Sequence, residues 1–145
     1  MKPQKPWIDK GVITVSTHTY DMHQRKEHKI SGRNGVLQKP EESEEDYRKA
    51  LRADIKAAKD LLNEKLGVTP LALAFPYGLN SPIAVEEWEN AGVKLTLTTV
   101  YGCSTITRGD VTSIRCLKRW NITNQVTKAK LLQRLYEFNT ATLKK

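Results

Sequence analysis

His18 and His23 are the residues whose type and spacing most directly suggest chemistry. They close the stretch Val12-Ile13-Thr14-Val15-Ser16-Thr17-His18-Thr19-Tyr20-Asp21-Met22-His23, and the third histidine, His28, follows five residues later. A neutral imidazole is a good ligand for zinc or a similar divalent ion, and catalytic sites commonly combine three protein ligands with a water. A five-residue step turns about 140° on a helix and switches faces on a strand, so one regular element cannot aim both rings at one point. A strand that ends near His18 and runs into a tight irregular segment can. On spacing alone the plainer alternative, two satisfied polar side chains in an ordinary turn, carries more weight. His23 and His28 form a second pair of the same spacing. There Glu27 precedes His28 and no HExxH motif results, and the polar neighbours of His28 place it in solvent.

A second candidate is Phe75-Pro76-Tyr77-Gly78, which interrupts a short apolar run. Backbone N–H groups exposed at such a turn can stabilise an oxyanion. In a parallel sheet this turn would share a rim with His18, the rim on which α/β proteins place their chemistry. Simple strand-to-loop punctuation is the alternative.

The elements that must position these residues can be read in order. Trp7–Gly11 feeds a first strand, Val12–Thr17, whose β-branched run lacks polar alternation and so suits burial on both faces. Gln24–Lys29 and Ser31–Gly35, charged and then rich in Gly and Asn, read as a surface loop. Ser43 followed by Asp46 opens a helix in which Tyr47, Leu51, Ile55, Ala58, Leu62 and Leu66 recur at helical spacing, and Gly67 stops it. Arg48, Lys49, Arg52, Lys56 and Lys59 form its solvated face. Leu71–Phe75 is a strand, Ile83–Asn90 a helix closed by Gly92, Val93–Val100 a strand, Ser113–Trp120 an extended segment and Val126–Phe138 a terminal helix. Alternating strands and helices imply parallel pairing with crossovers. Three or four strands are too few to close a barrel, so the sheet is either small and open or part of something larger.

With 145 residues, 39% of them hydrophobic and 28% charged, the chain is an ordinary single globular domain spanning residues 1–145. No run of 18 apolar residues exists to span a membrane. The basic N-terminus lacks the apolar stretch of a signal peptide, so the chain as written is expected in the cytoplasm. The net charge of +8 is scattered and partly balanced by acids along the long helix, which argues against nucleic acid as a partner. Cys103 and Cys116 form no CxxC pair and are expected to be reduced thiols rather than a disulfide.

Taken together, His18–His23, the Ser43–Gly67 helix, Ala74-Phe75-Pro76-Tyr77-Gly78 and Gly92-Val93-Lys94-Leu95 resemble a polysaccharide deacetylase of the NodB-homology type. The wide histidine spacing is similar to the branch that deacetylates poly-N-acetylglucosamine, since commoner members carry a pair four apart. The resemblance runs from about residue 7 to about residue 123. It implies an α/β fold, a partial or incomplete (β/α) barrel of mostly parallel strands with crossover helices. It also implies metal-dependent hydrolysis of N-acetyl groups on an amino-sugar polysaccharide. The family's cofactor is one divalent metal, zinc first, with cobalt, nickel or iron as alternatives, and it activates water for attack on the acetamide carbonyl. His18 and His23 match the metal-binding histidines and Thr19 the hydroxyl that steadies their loop. The Tyr77 backbone N–H matches the oxyanion donor, with Phe75, Pro76 and Gly78 shaping the turn. Members of the family are often secreted or cell-surface proteins.

The chain departs from the family pattern in three places. The paired aspartates that supply a general base and the third metal ligand should precede the histidines, but only 17 residues lie before His18 and Asp9 is their sole acid. Asp21, between the two histidines in so tight a segment, is a poor substitute. No histidine after His28 matches the family's general acid, and Ala74 stands where an arginine is often found. The resemblance therefore implies a domain missing its first strand or strands, with turnover impaired in this chain alone. The alternative is a non-catalytic remnant that binds carbohydrate or a partner. An unpaired flank on the Val12–Thr17 strand would favour homo-oligomers through the open sheet edge.

Overall fold

The computed structural model describes residues 5–24, 33 and 35–142, the last four as backbone only. A short helix α1, Lys5–Asp9, leads into an extended run and then into the longest element, α2, Glu44–Leu66. Strand β1, Ala72–Ala74, follows, then α3, Pro82–Asn90, and β2, Leu95–Leu97, which pairs with β1 in parallel with Leu73 opposite Thr96. The terminal helix α4 spans Lys128–Thr142. Single parallel bridges join Thr17 to Leu73 and Leu97 to Leu117. Four segments thus lie side by side in chain order, all in one direction.

Local chemistry accounts for the helices. Ser43 accepts the Asp46 N–H at α2's start, while Glu44, Glu45 and Asp46 face the positive end of its dipole. Gly67 ends it in the left-handed conformation, its N–H returning to Asn63 O. In α3 the cap is Ser81, accepting from the Ala84 N–H, with Pro82 at the first position, where no N–H is needed. The buried faces of α2 (Tyr47, Leu51, Ile55, Ala58) and α3 (Ala84, Val85, Trp88) pack with Leu73, Phe75 and Val93 into one core. Burying a large side chain of this kind stabilises by about 1.5–3 kcal/mol.

Several expectations change. The described residues form an α/β layer whose regular sheet has two parallel strands, short of the partial barrel that the resemblance implies. Val12–Thr17 is not a strand buried on both faces. Only Thr17 is paired, and Val12 and Ile13 are 65% and 42% exposed. The run has β1 as a neighbour on one side, and no described residue pairs with its other edge. Ser113–Trp120 begins as a turn of 3₁₀ helix, Val111–Ile114, capped by the Asp110 carboxylate on the Thr112 N–H, and is extended only beyond it. The loop ahead of α2 is not all surface. Arg33 is buried because its guanidinium donates to Glu42 and to Leu37 O, and Val36 is wholly buried with its carbonyl accepting the Tyr47 hydroxyl at 2.5 Å. His28 lies outside the described residues.

The basic face of α2 is more than a solvated stripe. Arg48 and Arg52 both reach the buried Glu87 of α3, at 2.7 Å each, tying the two helices together. A buried carboxylate is tolerable there because two guanidiniums offset its lost hydration. Its acidity follows: the hydrogen bonds from Arg52, and from Arg48 against the opposing effect of burial, hold the Glu87 pKa below its ordinary value.

Candidate metal and oxyanion site

Parallel pairing carries the chain ends of three segments to one rim. His18 follows the Thr17 bridge, Phe75–Gly78 follows β1, and Thr98–Thr99 follows β2. His18 is anchored from behind, its Nδ1 donating to Ala74 O at 2.5 Å. A carbonyl can only accept, so neutral His18 carries its proton on Nδ1 and its lone pair on Nε2. That Nε2 lies 2.9 Å from His23 Nδ1, with the two rings edge to face and centroids 4.7 Å apart.

The irregular segment that brings the rings together begins at Thr19, which has φ of +71°, and Thr19 Oγ1 accepts the Met22 N–H at 3.3 Å. Next, the N–H groups of Tyr20 and Asp21 both donate to the carboxylate of Asp54, at 3.0 and 2.7 Å. Asp54 sits on the buried face of α2. Burial pushes its pKa up, opposed by the hydrogen bonds from Tyr20 and Asp21. Sequence reading missed this residue. The signal was present: position 54 falls on the apolar stripe of α2 with Leu51, Ile55 and Ala58, and a carboxylate on such a stripe needs a partner.

Tyr77 forms the opposite wall. Its ring meets the His23 ring edge to face at 4.6 Å, and its hydroxyl donates to Gln24 O at 3.0 Å. Tyr77 and Gly78 occupy consecutive left-handed positions, φ of +57° and +72°, in a turn closed by Leu79 N–H to Pro76 O. Two positive φ values make this a type I′-like turn. Gly78 is required for a second reason, since a Cβ there would lie 2.1 Å from Thr99 Oγ1 and 2.5 Å from Thr99 N. Thr99 Oγ1 in turn donates to Tyr77 O at 3.0 Å. Phe75 and Pro76 are buried beneath the turn, with Phe75 N–H on Leu97 O. Among the described residues no acceptor pairs with the Tyr77 N–H.

These residues suit two ligands of one small cation: the two ring nitrogens converge, and the anchoring carbonyl fixes the lone pair of His18. Among the described residues no group of three or more histidine, cysteine or acidic side chains is assembled, so Asp21 does not complete the set. Cys103 and Cys116 are both free thiols.

Comparison with solved structures bears on the whole arrangement. A de-N-acetylase from Aggregatibacter actinomycetemcomitans superposes with a TM-score of 0.66 at 16% identity, over 89% of this chain and 50% of that one. The deacetylase domain of BpsB from Bordetella bronchiseptica gives 0.58 at 20% identity, over 79% and 46%. A polysaccharide deacetylase from Bacillus cereus gives 0.60 at 20% identity, over 90% and 34%. The fold is that of the polysaccharide deacetylases. The chain spans half or less of the length of each of these deacetylase structures. No protein-family model and no curated protein matches the sequence. No described helix is long and apolar enough to cross a membrane.

Proposed function

We propose that this chain is a carbohydrate N-deacetylase-type domain whose His18 and His23 hold one divalent metal, zinc first, and whose substrate is an amino-sugar polysaccharide. The observation that carries the reading is the 2.9 Å convergence of His18 Nε2 and His23 Nδ1 beside a left-handed Pro-Tyr-Gly turn. When bound, such a metal supplies Lewis-acid activation of an amide carbonyl and of water. The chain's own residues have three tasks. Ala74 O holds the His18 ring in the tautomer that puts the lone pair on Nε2. Tyr77 packs against His23 and keeps its ring from rotating. The Tyr77 N–H, without an acceptor of its own, donates to the oxygen that becomes negative in the tetrahedral intermediate.

Turnover by this chain alone is proposed to be weak or absent. Two imidazoles converge, and among the described residues no carboxylate joins them as third ligand or general base. Loss of a general base costs about 10²–10⁴-fold. The same donor count favours a second reading, a non-catalytic module that binds carbohydrate or a partner. The experiment is acetate release from chitooligosaccharides with added zinc or cobalt, run beside pull-down on chitin and poly-N-acetylglucosamine with and without chelator. Slow release that His18→Ala abolishes, with chelator-sensitive binding, supports the first reading. Chelator-insensitive binding without release supports the second, and brisk release refutes the impairment.

A further inference from the structure

We infer that Asp54 is a positioning residue for the histidine pair: through the amides of Tyr20 and Asp21, its carboxylate sets the convergence of the His18 and His23 rings. The inference rests on the metal-site reading above for its functional meaning, but its geometry stands independently. Only four residues separate the two histidines, and two of their consecutive N–H groups point at one carboxylate on another element, more than 30 residues away in sequence. Consecutive amides aimed at one anion form a concave nest whose shape depends on the anion's place. Upstream of the nest, Thr19 is held at φ of +71°, a conformation that its own local energetics disfavours and that surrounding contacts must maintain. Downstream, Met22 O accepts the Gly35 N–H at 2.7 Å and the Met22 side chain is buried, so this end is pinned to the core. The nest is therefore the fixed point about which His18 and His23 are aimed.

The chemistry at position 54 is specific. An ionised carboxylate offers two acceptor oxygens to two donors, whereas an asparagine amide of the same shape offers one oxygen and turns an NH₂ toward the other N–H. The surroundings also separate positioning from folding. A groove of about 460 Å³, lined in part by Tyr20, Ala50, Ala53 and Asp54, opens beside the carboxylate. With the carboxylate removed, water can enter the groove and solvate the two amides, so the fold survives while the loop loses its fixed point.

The test uses the full chain and four proteins: wild type, Asp54→Ala, Asp54→Asn and Glu87→Gln. Glu87→Gln weakens the α2–α3 junction without touching the loop and serves as the structural control. Two readouts apply: ring ¹⁵N–¹H NMR of His18 and His23 without metal, and a cobalt(II) titration followed by its visible spectrum. Wild type is expected to show His18 as a single Nδ1-protonated tautomer. Both Asp54 variants are expected to give averaged ring signals and to bind cobalt about 10–100-fold more weakly, as loss of an outer-shell partner does. Glu87→Gln should keep wild-type ring signals and cobalt affinity despite a lower melting temperature. Wild-type ring signals in a folded Asp54→Ala protein overturn the inference. So does global unfolding of both Asp54 variants, because Asp54 would then serve the whole fold. If wild type binds no cobalt, the metal reading fails, and the ring signals still decide the role of Asp54.

Discussion

Substituting Gly78→Ala tests the rim at its tightest point. The new Cβ would sit 2.1 Å from Thr99 Oγ1, 2.5 Å from Thr99 N and 2.9 Å from Thr99 Cβ. The hydroxyl can swing away, but the backbone nitrogen belongs to the chain leaving β2 and cannot move without disturbing the sheet. Two costs combine. A β-carbon in the left-handed region costs roughly 1–2 kcal/mol, and forcing atoms into a filled space typically costs about 1–3 kcal/mol. The expected loss is about 2–5 kcal/mol, a large share of the roughly 5–15 kcal/mol that keeps a domain folded. For a chain of this size that lowers the melting temperature on the order of 5–15 °C, read by circular dichroism. A second substitution divides the cost. Thr99→Ala removes the Oγ1 contact but leaves the contact with Thr99 N and the positive φ, so the double variant should recover less than half of the loss. Full recovery would show that the hydroxyl alone set the constraint, and a Gly78→Ala melting temperature within about 1 °C of wild type would refute the reasoning altogether.

Other outcomes follow from the same contacts. Glu87→Gln removes one charge from the Arg48–Glu87–Arg52 cluster and should destabilise by about 1–3 kcal/mol in urea unfolding. Because the folded-state pKa of Glu87 is depressed, its contribution is fully present above the pKa of the unfolded chain. It is lost as pH falls through the folded value, so the gap between wild type and variant should close in acid. Along the open edge, Val12 and Ile13 are exposed beside the single Thr17 bridge, so wild type should self-associate with concentration in sedimentation and Val12→Lys should reduce it. A clean monomer at all concentrations would contradict the edge argument. Tyr77→Phe loses the bond to Gln24 O and should cost about 1 kcal/mol while broadening the His23 ring signals. Unchanged His23 signals would show that the ring contact alone fixes the imidazole.

Helices α2 and α3 were legible in the sequence because their causes are local. Ser43 and Gly67 bound α2 through hydrogen bonds that reach no more than five residues, and Ser81 with Pro82 starts α3 in the same way. The order strand, helix, strand, helix pointed to parallel pairing, and the histidine and Pro-Tyr-Gly segments pointed to the deacetylase fold. What the sequence could not supply were relations between residues far apart in the chain. The partnering of His18 with Ala74 O spans 56 residues, and that of Asp54 with the Tyr20 amide spans 34. Gly78 meets Thr99 only because β1 and β2 lie parallel in one register. Burial of Arg33 and Glu87, both read as surface or left unremarked, was likewise settled by partners on other segments. Local hydrogen bonding and periodicity are properties of a short window. Convergence of two imidazoles, the space around one glycine and the neutralisation of a buried charge exist only once the segments are packed, and tertiary structure alone decides them.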